Sequence, residues 1–359
     1  MIKVGIIGCG RIADSHAASV DAIPGSQIVA TCDSEELMAK QLQERTGADH
    51  CFTDAARLAE AVDVVHITTP PASHFELGKL CLDAGCHVYI EKPFAVTGDE
   101  SDELIRLAEE KKKNVTVGHN AQFTHAAVRM RELVQSGYLG GAPIHMEASY
   151  CYDLSDARYA KALLGDSNHW VRKLPGKLLH NIVSHGVSKV AEFLKSDRPK
   201  VIAHGFTSPI LTEIGETDIV DELRVIIEDG GYPTAYFTFS TQMNPVLHEL
   251  RLYGPKNSLI VDDDHQSVIK VRGGKYKSYL NHFVPPWVYA KQYLSNWSFN
   301  TKKFLTRDFH MTHGMTRLIR LFHQSIAEDG PPPIPPAEIV RTSRIMDSIF
   351  EQLNRRSDV

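Results

Sequence analysis

No apolar run in this chain approaches the ~18–20 residues needed to span a bilayer, so a membrane-spanning protein is not expected. The six cysteines (Cys9, Cys32, Cys51, Cys81, Cys86 and Cys151) include no C-x-x-C pair. A disulfide framework and a zinc site are therefore disfavoured, and no metal is expected. Charge of one sign is also scarce. With 39 Lys+Arg against 44 Asp+Glu the net charge is −5, which argues against a globally basic nucleic-acid binder. There is no internal repeat, and no basic leader precedes the first strand-like segment, Lys3-Val4-Gly5-Ile6-Ile7. A cytoplasmic location is the expectation.

What is present is an ordinary globular composition, 43% hydrophobic and 23% charged. At 359 residues the default is two domains. The first 120 residues alternate between two periods. Short β-branched runs recur at Val4–Ile7, Ile28–Thr31, Val62–Ile67, His87–Ile90 and Val115–Val117. Helix-period stretches lie between them, among them Leu37–Arg45, Phe75–Ala84 and Asp102–Lys112. That alternation predicts a parallel sheet covered on both faces. Beyond about residue 140 a helix is expected over 176–195. Six strand candidates follow: Lys200–Phe206, Glu222–Glu228, Thr234–Thr241, Glu249–Tyr253, Ser258–Val261 and Ser267–Arg272. Consecutive strands without crossover helices predict a mostly antiparallel, open-faced sheet, and helices are expected over 312–328 and 336–354. The fold class is thus an α/β Rossmann domain over residues 1–121 and an α+β substrate and oligomerisation domain over 122–359. The C-terminal helix is free to pack back on the first domain.

The strongest local signal is Gly8-Cys9-Gly10-Arg11-Ile12-Ala13, directly after the first strand and opening the first helix. Gly8 permits a tight turn, Gly10 lets the backbone approach a pyrophosphate, and Ala13 allows close helix–strand packing. The helix N–H groups, starting at Arg11 and Ile12, then face the phosphates. Asp33 ends the second strand run, about 20 residues after the motif. Its carboxylate suits ribose hydroxyls and repels a 2′-phosphate, and no Lys or Arg directly follows it. NAD(H) is therefore favoured over NADP(H).

Two further motifs fall at carboxyl ends of later strands, where open α/β sheets bind ligands. One is Thr69-Pro70-Pro71 with His74; the other is Glu91-Lys92-Pro93. A lysine at such a strand end, near a positively charged nicotinamide, can have a lowered pKa and take a substrate hydroxyl proton.

Together with Gly118-His119-Asn120, these motifs resemble the glucose–fructose oxidoreductase / inositol dehydrogenase / MocA (Gfo/Idh/MocA) family over essentially the whole chain. The resemblance implies NAD(P)-dependent oxidation of a secondary alcohol on a sugar, inositol or nucleotide sugar, and a homodimer or homotetramer. It implies that Lys92 is the active-site lysine and that Asn120 lies near the nicotinamide end. His185 matches the family's histidine, while Asn181 stands where aspartate is usual. On a continuous helix Asn181 and His185 are i, i+4 neighbours away from the apolar face, whereas His180 lies elsewhere. Asparagine cannot exchange a proton at neutral pH, so base catalysis falls to Lys92 or His185. Trp170 and Arg172 are further candidates to line a substrate pocket.

Residues 265–309 are unusual. They hold eight basic residues against the single acid Asp308, with aromatics interleaved from Tyr276 to Phe309. Core with a solvated or intersubunit face is the plainer expectation, and recognition of an anionic substrate portion the sharper one. Two functions compete with the dehydrogenase. One is an NAD-dependent glycoside hydrolase acting by transient oxidation. The other is a non-catalytic dinucleotide-binding sensor.

Overall fold

The computed structural model describes residues 1–154 and 169–357. It divides into two compact units: residues 1–120 with 314–347, and residues 121–313 with 348–359. Residues 314–347 thus group with the first unit rather than with the second, where a simple two-part division had put them.

In the first unit six strands form one parallel sheet: β1 (Ile2–Ile7), β2 (Ser26–Cys32), β3 (His50–Phe52), β4 (Val64–Ile67), β5 (His87–Ile90) and β6 (Val115–Val117). Their order is β3-β2-β1-β4-β5-β6, the doubly wound dinucleotide-fold arrangement. Helices α1 (Arg11–Asp21), α2 (Glu36–Thr46), α3 (Ala55–Ala59), α4 (His74–Asp83) and α5 (Gly98–Lys111) connect them. Val64, Val65, His66 and Ile67 are all 0% exposed. Successive strand residues point to opposite faces, so both faces of β4 are covered. The sequence pattern missed β3, whose three residues are too few for a period to register. It also placed the start of α5 late. There Thr97 and Glu100 form a reciprocal capping box that fixes the helix start ahead of its apolar stripe.

The second unit holds α6 (His125–Gln135) and a seven-stranded sheet. Its strands are β7 (His145–Asp153), β8 (Lys200–Phe206), β9 (Glu222–Glu228), β10 (Thr234–Ser240), β11 (Gln242–Tyr253), β12 (Asn257–Asp262) and β13 (Ser267–Arg272). The order is β13-β12-β11-β7-β10-β9-β8. All neighbours are antiparallel except β7 and β10, which run parallel. The central strand β7 was not among the expected strands.

The single helix expected over 176–195 is two helices, α7 (Lys177–Ile182) and α8 (Ser184–Ala191), broken at Val183. Next come α9 (Pro209–Glu213), α10 (Leu280–Leu305), α11 (His313–Ala327) and α12 (Pro336–Ser357).

Helix α10 corrects the expectation that the aromatic segment belongs to the core. Only Asn296 of its 26 residues is buried. Phe283, Trp287, Leu294, Trp297 and Phe304 are each more than 60% exposed. On the open sheet face Ile202, Ile226 and Tyr236 line up across three strands, each about half exposed.

Candidate functional site

The glycine loop is built by sterics. Gly8 has φ +92°, and a Cβ there would lie 2.7 Å from Thr69 Cγ2 and 2.8 Å from Thr69 N. Thr68 Oγ1 donates to the Gly8 carbonyl, fixing the loop against the end of β4. Among the described residues, chain neighbours aside, nothing comes within 4 Å of a Cβ at Gly10, so open space lies there. Helix α1 starts at Arg11 without a side-chain cap, with Arg11 and Ile12 exposed and Ala13 wholly buried. Uncapped first-turn N–H groups beside an open glycine form a cradle for a phosphate. Asp33 Oδ2 accepts the Cys9 N–H at 2.7 Å, and Oδ1 accepts the Glu35 N–H at 3.0 Å. The carboxylate thus braces the glycine loop and stays partly exposed. These residues fit a dinucleotide.

His74 turns out differently. Its imidazole is 0% exposed, with Nδ1 2.8 Å from the Pro93 carbonyl and Nε2 2.9 Å from the Thr69 carbonyl. Expected to touch the cofactor, it instead ties the Thr69-Pro70 turn to the Glu91-Lys92-Pro93 turn. No ring nitrogen is left for a ligand. Thr69 is partly exposed and Pro70 exposed, so the turn itself remains accessible.

Glu91 and Lys92 end β5. Glu91 is buried, 8% exposed as a residue. Its carboxylate accepts the Lys92 backbone N–H at 3.1 Å and lies 2.9 Å from His16 Nε2. Burial works against its charge. The His16 hydrogen bond, the Lys92 charge and the Lys92 N–H outweigh burial and hold the carboxyl below its usual range. Lys92 is partly exposed. Burial lowers its pKa, and the Glu91 charge opposes that shift. A lysine tuned downward beside a fixed carboxylate is suited to proton exchange with a hydroxyl. Gly118 leaves room for the carboxylate. His119 is buried, and desolvation lowers its pKa to about 3. Asn120 is partly exposed at the start of a short 3-10 turn.

In the second unit Asn181 and His185 are both partly exposed and lie on either side of Val183, whose backbone keeps right-handed helical angles. His180 is buried and stacks on Phe350 at 4.8 Å, which removes it from the site. The His185 ring lies 5.8 Å from that of Tyr150. Tyr150 in turn meets His248 at 4.5 Å, and His248 Nδ1 lies 2.6 Å from Asp264 Oδ1. Lys189 is buried and pairs with Asp263. Burial lowers its pKa to about 8. Arg172, expected on a substrate, is 2.6 Å from Glu216. Trp170 packs against the apolar cluster of Val171, Leu178, Leu211 and Ile219. Both side chains therefore have structural work within the fold.

Sequence reasoning did not find Tyr150, because β7 itself was missed; nor did it find His248, just ahead of the expected strand Glu249–Tyr253, or Lys189 on the expected helix. It also passed over His16, His66 and His323. Their signal was legible: each is a polar residue set among apolar core neighbours, on α1, β4 and α11.

Residues 2–119 match the family described as an oxidoreductase family with an NAD-binding Rossmann fold, Gfo/Idh/MocA. Residues 2–119 are therefore an NAD-binding Rossmann domain of the Gfo/Idh/MocA oxidoreductase type. It is 34% identical over 142 residues to D-glucoside 3-dehydrogenase of Escherichia coli K12, covering 39% of this chain and 40% of that protein. It is 33% identical over 147 residues to UDP-N-acetylglucosamine 3-dehydrogenase of Acidithiobacillus ferrooxidans, covering 41% and 44%. Both matches span less than half of these curated relatives' length. Among solved structures, the WlbA dehydrogenase from Bordetella pertussis, in complex with NADH and UDP-GlcNAcA, superposes with a TM-score of 0.76 at 16% identity. That alignment covers 100% of this chain and 96% of the other, a likeness of fold.

Proposed function

We propose that this protein is a Gfo/Idh/MocA-type, NAD-dependent dehydrogenase acting on a secondary alcohol of a sugar, inositol or nucleotide sugar. The observation that carries the reading is the position of Lys92 next to the buried carboxylate of Glu91, which accepts the Lys92 backbone N–H, on the same unit as the Gly8–Gly10 cradle. Gly10 and the first turn of α1 would hold the pyrophosphate, Asp33 the adenosine ribose, and Thr69, Pro70 and Asn120 the nicotinamide end. The bound nicotinamide supplies the hydride acceptor. Lys92 takes the substrate hydroxyl proton, with His185 as the second proton-handling group and Asn181 orienting the hydroxyl. The Asp33 carboxylate, with Ser34, Glu35 and Glu36 after it, favours NAD over NADP. The exposed aromatic face of α10 and the Ile202–Ile226–Tyr236 row favour a homodimer or homotetramer.

The test is a panel of sugars, inositols and nucleotide sugars with NAD and NADP, followed by absorbance of the reduced nicotinamide. Formation of NADH in step with substrate loss is the expected result. Glycosidic cleavage without net NADH would instead make the protein an NAD-dependent hydrolase. Dinucleotide binding with no turnover of any substrate in the panel would leave the sensor.

A further inference from the structure

An unbroken line of hydrogen bonds runs through the core of the first unit, away from Glu91. Glu91 Oε1 is 2.9 Å from His16 Nε2. His16 Nδ1 is 2.9 Å from His66 Nδ1. His66 Nε2 is 3.1 Å from His323 Nε2. His323 Nδ1 is 2.8 Å from Ser26 Oγ. The three imidazoles are at most 1% exposed. Tyr89 holds them in place, stacked on His66 at 5.0 Å and edge-on to His16 at 5.1 Å. Ser26, at the start of β2, is partly exposed and lines a surface recess of about 450 Å³ with Asp14, Asp21 and Arg45. The line therefore joins the buried carboxylate beside Lys92 to water.

We propose that Glu91, His16, His66, His323 and Ser26 form a proton path that exchanges one proton between the Glu91–Lys92 pair and solvent at the recess. The inference rests on the dehydrogenase reading for its purpose, although not for its geometry.

With the three imidazoles neutral, the tautomers follow by elimination. An ionised Glu91 only accepts, so His16 carries its proton on Nε2 and its Nδ1 accepts. His66 then donates from Nδ1 and accepts at Nε2. His323 donates from Nε2 and accepts at Nδ1, and Ser26 donates its hydroxyl. Every group is satisfied, and all donors point toward Glu91. One proton entering at Ser26 shifts each N–H by one bond and ends on Glu91; the polarity of the whole line reverses. Running back, Glu91 loses its proton and one proton reaches water. In oxidation of an alcohol the hydroxyl proton goes first to the neutral amine of Lys92 and then to the Glu91 carboxylate, which unloads it outward along the line. Lys92 returns to the neutral amine, Glu91 to the carboxylate, and one proton leaves. Reduction draws one in. Burial lowers the pKa of His66 well below the ordinary histidine value and that of His323 to about 4. A concerted shift between neutral tautomers suits that setting better than a resident imidazolium. His16, His66 and His323 are thus positioning residues that act through Glu91 and Lys92.

The test uses the full chain labelled with nitrogen-15. Imidazole correlations at neutral pH should show Nε2–H on His16, Nδ1–H on His66 and Nε2–H on His323; any other arrangement overturns the path. Exchange of the His66 N–H with solvent should slow by ~10-fold or more when the outer end is blocked. His323→Gln blocks it from within. Ser26→Val blocks it at the partly exposed end, in a strand that accepts a β-branched residue, and serves if the core variant does not fold. Unchanged exchange in the folded variants overturns the path. Methyl glucoside and UDP-N-acetylglucosamine serve as activity probes. In the variants, proton release read by a pH indicator should lag NADH formation, while the KM for NAD stays unchanged. Release in step with NADH formation counts against the path. If neither sugar is oxidised, the dehydrogenase reading is what suffers, and the imidazole readouts still decide the path.

Discussion

Gly118 and Glu91 share one volume. A Cβ at residue 118 would lie 2.8 Å from Glu91 Oε1 and 3.0 Å from Oε2. The glycine that follows β6 is therefore where the carboxylate beside Lys92 fits. Gly118→Ala should displace the carboxylate from His16 and cost on the order of 1–3 kcal/mol of stability, as overpacking does. Turnover should fall more than NAD affinity. Denaturant melts and kinetics on the purified variant check both, and a fully active, fully stable variant would contradict the packing.

Lys92→Ala should lower kcat by about 10²–10⁴-fold, the usual worth of a general base. His185→Ala should produce a comparable loss. NAD affinity, measured by calorimetry or fluorescence, should stay nearly unchanged in both. Normal turnover by either variant removes that residue from the proposed chemistry.

The pH profile follows from the direction of the Lys92 shift. The neutral amine is the base, and burial lowers its pKa from the ordinary lysine value. Activity in the alcohol-oxidising direction should rise with pH and level off below pH 10.5. A profile still climbing there would mean that Lys92 is not tuned. Glu91 is the nearby charge resisting the shift, so Glu91→Gln should move the plateau to lower pH.

Gly8→Ala meets two penalties. The left-handed φ of +92° costs a non-glycine residue ~1–2 kcal/mol, and the added methyl collides with Thr69. The expected result is a lowered melting temperature together with weakened NAD binding. Gly10→Ala has room in the protein itself, so it should leave stability nearly unchanged and weaken NAD binding alone. Equal stability losses in the two variants would refute this distinction.

Acid should destabilise the fold through its buried neutral histidines. Desolvation lowers His119 to about 3 and His323 to about 4 in the folded state, against about 6.5 unfolded. The unfolded chain then binds more protons between pH 6.5 and 4, so stability falls as pH falls through that window. Each such group contributes a loss of up to about 3 kcal/mol. Urea midpoints measured from pH 7 to 4 should drop, and His323→Gln should flatten the slope.

Much of this protein was written in local pattern. Alternating β-branched runs and helix periods determined the parallel sheet, since strands buried on both faces must be continuously apolar. The glycine loop, Asp33 and Glu91-Lys92-Pro93 announced their chemistry because turn sterics and strand ends demand those residue types at those spacings. Tertiary structure alone decided the rest. Three-residue β3 is too short to carry a period. The capping box at Thr97 moved α5 forward. Val183 divides the expected helix, with Asn181 before it and His185 after it. His74, placed by its motif on a ligand, proved to be a brace because two carbonyls from separate turns converge on its ring. His66 and His323, which meet in one hydrogen bond, stand 257 residues apart, and no local rule links them or His16. Hydrogen bonds between distant side chains depend on how elements pack, and periodicity records only which way each one faces.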